Sequence, residues 1–223
     1  MSALNNSLLL GQEGGGGYAI SRSLRFNSSD SAYLSRTPAS AGNRKTWTWA
    51  GWVKRSKLGQ AQQLFGVETG GDQHRFGFSD GDTFEYLYYA GAFPLPANKA
   101  TTQVFRDPSA WLHLVVVWDT TNGTASDRMR IYVNGVRITA FSASTDPSSS
   151  FDGFINSASY VHRIAGTTGV HFNGLLADIH FIDGQALDPS SFTEVSATTG
   201  QLIPKAYTGT FTGNSFWLKF ADN

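Results

Sequence analysis

Glycosidic hydrolysis needs two carboxylates facing each other across a sugar bond, one to attack or activate water and one to protonate the leaving oxygen. The four glutamates of this chain, Glu13, Glu68, Glu85 and Glu194, are scattered, and no two fall within one strand length of each other. Glu85 with Asp82 is the nearest mixed pair, in a turn-forming stretch where a carboxylate is ordinarily solvated. The residues therefore point away from an enzyme. If the chain were a hydrolase after all, Glu85 and Glu194 would be the first residues to test.

Metal chemistry has two candidate sets. His162, His171 and His180 recur at a spacing of nine, with Asp178 beside the last of them, but that interval matches no ligand rule for a transition metal. Calcium is the alternative, through Asp119, Asn122 and Asp127, with Asp146 and Asp152 in neighbouring loops. A hard cation needs several converging oxygens, and these residue types are also the commonest turn-formers. The expectation is no resident cofactor, with calcium the one ion kept in view. Gly14–Gly17 neither follows a strand nor precedes a lysine, so it is no phosphate loop. No strand-to-helix elbow presents a serine nucleophile. The absence of cysteine removes disulfides and thiolate chemistry.

Binding residues are easier to name. The stretch FEYLYYAG brings together Tyr86, Tyr88 and Tyr89, whose phenols could form an exposed face for a glycan or another copy of the chain; burial inside the core is the competing reading. Leu8, Leu9 and Leu10 are the apolar part of residues 1–17, a small-residue segment ending in four glycines. That composition reads as an arm with a hinge, its leucines available as an anchor. Lysine plus arginine and aspartate plus glutamate balance at 17 each, so no net field would gather nucleic acid or an anionic membrane.

These residues must be carried by strands. Glycine is abundant at 24 of 223 residues, aromatics reach 13% and charged residues only 15%, which suits many turns and a large aromatic core. The organising stretch is Trp111 to Thr139. Its first nine residues, WLHLVVVWD, form an apolar, β-branched run too short to span a membrane, hence a buried strand. RIYVNGVRI then predicts a hairpin, because Asn134-Gly135 tolerates positive φ at both central positions.

Elsewhere SLRFNSSDSAYLSR predicts two short strands. In TWTWAGWVK the period of two puts Trp47, Trp49, Gly51 and Val53 on one face and Thr48, Ala50 and Trp52 on the other, a central strand covered on both sides. QQLFGVET and RFGFSDGDTFEYLYYAG read as a meander. Residues 93–110, holding three of the seven prolines, and the serine-rich residues 141–153 read as loops. Leu175, Ala177, Ile179 and Phe181 alternate with Leu176, Asp178, His180 and Ile182, predicting a strand with one uniformly apolar face. Asp188-Pro189 predicts one short helical turn, and Phe216, Leu218 and Phe220 a last strand near the first. The opening residues lack the basic and apolar regions of a cleaved secretion signal.

The run from Trp111 into Trp118-Asp119, then IYVNGVRI, then FNGLLADIHFIDGQALDPSSF resembles laminin-G-like domains of the concanavalin A-like lectin and glucanase superfamily in order and spacing. The resemblance covers about Ser23 to Val195. It implies an all-β fold: a two-sheet antiparallel jelly-roll sandwich at residues 18–223, preceded by a flexible N-terminal arm at residues 1–17. SLRFNSSDSAYL and FWLKFADN are also similar to laminin-G-like virion proteins of tailed bacteriophages. That implies a non-enzymatic virion structural protein, of capsid-decoration or head-fibre type, attached to the major capsid or a tail protein through Leu8, Leu9 and Leu10 and able to bind host-surface glycans. The alternative is a glycan-binding lectin module of a tail fibre or host-recognition protein. A homotrimer is expected, with Tyr86–Tyr89 and Phe93–Pro96 as its shared surface.

Overall fold

In a computed structural model, residues 17–91 and 95–221 are described. Leu8, Leu9 and Leu10, with Phe93 and Pro94, lie outside the described residues. In chain order the strands are β1 (Leu24–Phe26), β2 (Leu34–Arg36), β3 (Thr46–Arg55), β4 (Gln62–Thr69), β5 (Asp72–Phe78), β6 (Thr83–Ala90), β7 (Ala97–Val104) and β8 (Leu112–Asp119). They continue as β9 (Met129–Val133), β10 (Val136–Arg137), β11 (Phe141–Thr145), β12 (His162–Ile164), β13 (Gly174–Asp183), β14 (Thr193–Val195), β15 (Leu202–Pro204) and β16 (Phe216–Leu218). Among the described residues no helix is long and apolar enough to cross a membrane.

Two antiparallel seven-stranded sheets form the sandwich. The first has the order β1-β13-β3-β8-β9-β10, with β16 beside β1 on the same edge of β13; the second has the order β11-β7-β6-β5-β4-β12-β2. Between them lies a core of Trp47, Trp49, Phe65, Phe76, Tyr86, Trp118 and other apolar side chains. Trp118 has no exposed surface, stacks on Trp47 at 6.5 Å and donates from Nε1 to the Arg44 carbonyl at 3.0 Å.

The first sheet is covered on its outer face too. Val115, Val117, Ile182, Phe192 and Tyr207 form one cluster there, and Ile20, Trp52 and Ala177 another. This third layer, from residues 186–207 and the segment before β1, is why β3 and β8 carry large side chains on both faces. It includes the small sheet of β14 and β15, which the sequence pattern did not suggest.

Three expectations are corrected. Residues 97–104 form β7 rather than a loop, because their alternation is carried by Ala97, Lys99 and Thr101, all buried, instead of by large apolar residues. Lys99 is accommodated by Asp146 at 2.8 Å and the ring of Phe141 at 4.8 Å. The start of the serine-rich stretch is likewise a strand, β11, paired with β7. Finally, β13 has no uniform apolar face. A bulge between Ala177 and His180, with Asp178 at φ 53°, reverses the alternation, so Leu176 faces the core before it and Ile179 and Phe181 after it. Gly51 lies opposite, where an added Cβ would come within 2.3 Å of Ile179 Cδ1. Asp178 Oδ1 accepts from Tyr18 Oη and Trp217 Nε1, each at 2.6 Å, tying the chain's entry and its last strand to the bulge.

Candidate functional site

The outward face of the second sheet is where the fold leaves side chains available. Residues on β6 alternate strictly: Phe84, Tyr86 and Tyr88 are buried, while Glu85, Leu87 and Tyr89 are partly exposed on the other side. Tyr86 and Tyr88, expected as glycan or copy contacts, therefore belong to the core. Tyr86 Oη lies 3.1 Å from Nε2 of the buried His74, and burial raises both phenols, that of Tyr88 to about 12. Only Tyr89 of the three faces outward.

Strand register builds this face row by row. The central row runs Arg163, Gly66, Arg75, Leu87 and Asn98 across β12, β4, β5, β6 and β7. On one side of it lie Glu68, Gln73 and Tyr89; on the other lie Gln63, Gly77, Glu85 and Ala100. Glycines keep the middle low: a Cβ at Gly66 would come within 2.5 Å of Arg75 Cβ, and one at Gly77 within 2.0 Å of the Gln62 carbonyl oxygen. Arg75 is the hub. Its Nε donates to Gln73 Oε1 at 2.8 Å, and Nη1 reaches Gln63 when the Gln63 amide is turned so that its nitrogen donates to the Phe76 carbonyl at 3.1 Å. Burial lowers the Arg75 pKa, while Glu68 and Glu85, to either side, favour its charge.

The arrangement offers a guanidinium, amides, carboxylates, a phenol and an apolar Leu87 on a flat sheet. Such a face can exchange hydrogen bonds with several hydroxyl groups and present one apolar edge to a ring. It does not assemble a hydrolytic pair. Glu68 and Glu85 are four register positions apart and two strands apart, roughly 16 Å at ordinary strand spacing, against roughly 5 to 9.5 Å for paired catalytic carboxylates. Glu194 is on β14, on the far side of the first sheet, and Asp82 is held by Arg55 at 2.8 Å and Arg106 at 3.2 Å.

The three candidate histidines are dispersed, and the candidate calcium ligands each have a partner of their own. His162 Nε2 accepts from the Asn156 N–H at 2.7 Å and its Nδ1 donates to the Tyr160 carbonyl at 3.0 Å, so it packs as a neutral ring against Phe65. His171 stacks on Tyr33, and His180 lies beneath Phe192 and Trp217 on the other sheet. Asp119 accepts from Thr121 Oγ1 at 2.6 Å, Asn122 accepts from Thr124 N at 2.9 Å, and Asp127 is paired with Arg137. Among the described residues no group of three or more histidine, aspartate or glutamate side chains could hold an ion.

Gln63, Gln73, Arg75 and Asn98 were not singled out in the sequence. The usable signal was the period of two in RFGF and TFEYLYYA, which already separates Arg75 and Glu85 from the aromatic positions.

Residues 26–191 match a laminin-G family described as the concanavalin A-like lectin/glucanases superfamily. No curated protein matches the chain in sequence. Among solved structures it is similar to the native heptameric SAP-like pentraxin from Limulus polyphemus, with 14% identity, TM-score 0.50, and 83% of this chain and 87% of that one covered. It is also similar to domains LG4-5 of the mouse laminin alpha1 chain, with 12% identity, TM-score 0.51, and coverage of 79% and 46%. A third is the CBM40 of the Ruminococcus gnavus IT-sialidase, with 14% identity, TM-score 0.51, and coverage of 70% and 95%.

Proposed function

Because this chain belongs to the concanavalin A-like lectin/glucanase superfamily, we propose that it is a non-catalytic carbohydrate-binding module whose glycan lies across β4 to β7, on the face centred on Arg75. One observation carries the reading: among the described residues the outward face of the second sheet is polar and partly exposed, with Gln73, Arg75, Glu85, Tyr89 and Asn98 on neighbouring strands around Gly66 and Gly77, whereas the first sheet is covered by a third layer. The wide separation of Glu68 and Glu85 supports binding without turnover.

The finer reading places this module on a phage particle as a capsid-decoration, head-fibre or tail-fibre component, held through Leu8, Leu9 and Leu10 and assembled as a homotrimer. What supports it is the composition of residues 1–17, which cannot bury enough apolar surface to fold alone.

A glycan array probed with the full chain and with Arg75→Ala and Tyr89→Ala tests the site. Binding to a defined set of glycans should weaken about tenfold or more in Arg75→Ala, the scale of a lost charge-assisted hydrogen bond, with a smaller loss in Tyr89→Ala. No glycan bound by the full chain, or binding indifferent to both substitutions, overturns the proposal.

A further inference from the structure

At the open end of the sandwich, between the edge strands β2 and β16, lies an apolar cleft of about 160 Å³ that the glycan face does not use. Its walls are Leu34, Phe65, Ile164, Phe181, Phe216 and Leu218. A half-open cleft of this size accepts a benzene-sized group, whose burial removes apolar wall from water and adds dispersion contacts.

The mouth carries a charge. Arg36, on β2, donates from Nη1 to the Asn214 carbonyl at 2.9 Å and lies 5.9 Å from the centroid of Phe216, so it is held over the opening. Its remaining contact, Nη2 to Asn214 Oδ1 at 3.5 Å, is weak, and a guanidinium has five N–H donors. Among the described residues no carboxylate pairs with it. The buried Asp183 does not touch it but is bridged to it through Asn214, whose N–H donates to Asp183 Oδ2 at 2.9 Å and whose Nδ2 donates to Asn156 Oδ1 at 2.9 Å, while Asn156 Nδ2 donates to Asp183 Oδ1 at 2.6 Å. The Asp183 oxygens are already engaged by the N–H groups of Asn43 at 2.8 Å and Asn214 at 2.9 Å. His162, also on the wall, is neutral and has both ring nitrogens occupied. The cleft thus combines an apolar interior with one anchored cation that lacks a direct counterion.

We propose that this cleft binds a small amphipathic carboxylate, its branched or aromatic hydrocarbon group inside and its carboxylate on Arg36. Guanidinium and carboxylate match in geometry, and the cavity admits one ring or one branched chain.

Saturation-transfer NMR titrations of the full chain with 3-phenylpropionate and its neutral counterpart 3-phenylpropanol test this. Both should bind, the carboxylate about fivefold more tightly, the scale of a partly exposed ion pair. Arg36→Gln should erase that preference, and Ile164→Trp should abolish binding of both. Leu34→Trp, at the half-buried rim, serves the same purpose if Ile164→Trp does not fold. Failure of both probes to bind, an unchanged preference in Arg36→Gln, or unchanged binding in the filled variants would overturn the proposal. So would binding that tightens when Leu8, Leu9 and Leu10 are replaced by serine, which would assign the cleft to that segment, or that weakens as protein concentration rises, which would assign it to a second copy.

Discussion

His113 and His162 are buried neutral imidazoles, and burial pushes their pKa values down to about 3 and about 4. The same cause lowers His74, which sits among Trp47, Tyr86 and Trp118. In the unfolded chain each titrates near about 6.5. Between about pH 6.5 and the folded values the unfolded chain therefore binds more protons, so stability is complete above about 6.5 and lost progressively as pH falls toward 4. Urea midpoints at pH 7.5, 6.5, 5.5 and 4.5 should decline over the last three, beginning above the range where carboxylates titrate. A flat profile down to pH 5 would contradict the burial of these rings. At this scale the sequence identified residue types but not surroundings: Tyr86, Tyr88 and Tyr89 lie close together in the chain, and only the side of the sheet each occupies decides which one meets water.

Among the elements, the hairpin of β9 and β10 is a local event and was legible as one. Asn134 has φ 49° and Gly135 φ 80°, the positive pair that the Asn-Gly turn requires. A Cβ at Gly135 would meet only Leu202 Cδ1 at an ordinary 3.6 Å, so a substitution there is opposed by backbone conformation rather than by crowding. Gly135→Val should cost about 1 to 3 kcal/mol in chemical denaturation, and a cost within error of zero would refute the strained turn. The bulge in β13 was not legible, because the alternation of Leu175 to Ile182 continues through it in sequence. Its conformation depends on Gly51 across the pair and on Tyr18 and Trp217 converging on Asp178. β7 escaped notice for a related reason: Lys99 can face inward only because Asp146 and Phe141, more than 40 residues later, receive it.

For the whole molecule the asymmetry between the two sheets is what matters. One sheet is sandwiched between core and third layer; the other, among the described residues, packs on the core through one face and carries half-buried side chains such as Glu85, Leu87 and Tyr89 on its outward face. If residues 1–17 are a tether to a particle, deleting them should leave a folded, glycan-binding module that no longer incorporates into particles. Continued incorporation would sink the tether. Mass photometry of the full chain at micromolar concentration should show a trimer; a strict monomer would remove the preformed assembly. With Tyr86 and Tyr88 buried, what remains of the expected trimer surface is Tyr89 and the Phe93–Pro96 stretch, of which Leu95 and Pro96 are half-buried.

By itself the sequence determined the all-β class, the buried strand β8, the double-sided β3, the Asn-Gly turn and the short turn at Asp188-Pro189, because each depends on side chains close along the chain: period, turn residues, a proline at the first helical position. The spacing of these elements was also enough to resemble the superfamily. The tertiary structure alone decided which sheet face lies outside the packed layers, where Arg75 stands between Glu68 and Glu85, how the bulge at Asp178 reverses the alternation of β13, and that an apolar cleft ends at Arg36. All four arise from strands brought together from distant parts of the chain, where register and layer order, set by packing of the whole core, determine what each side chain meets.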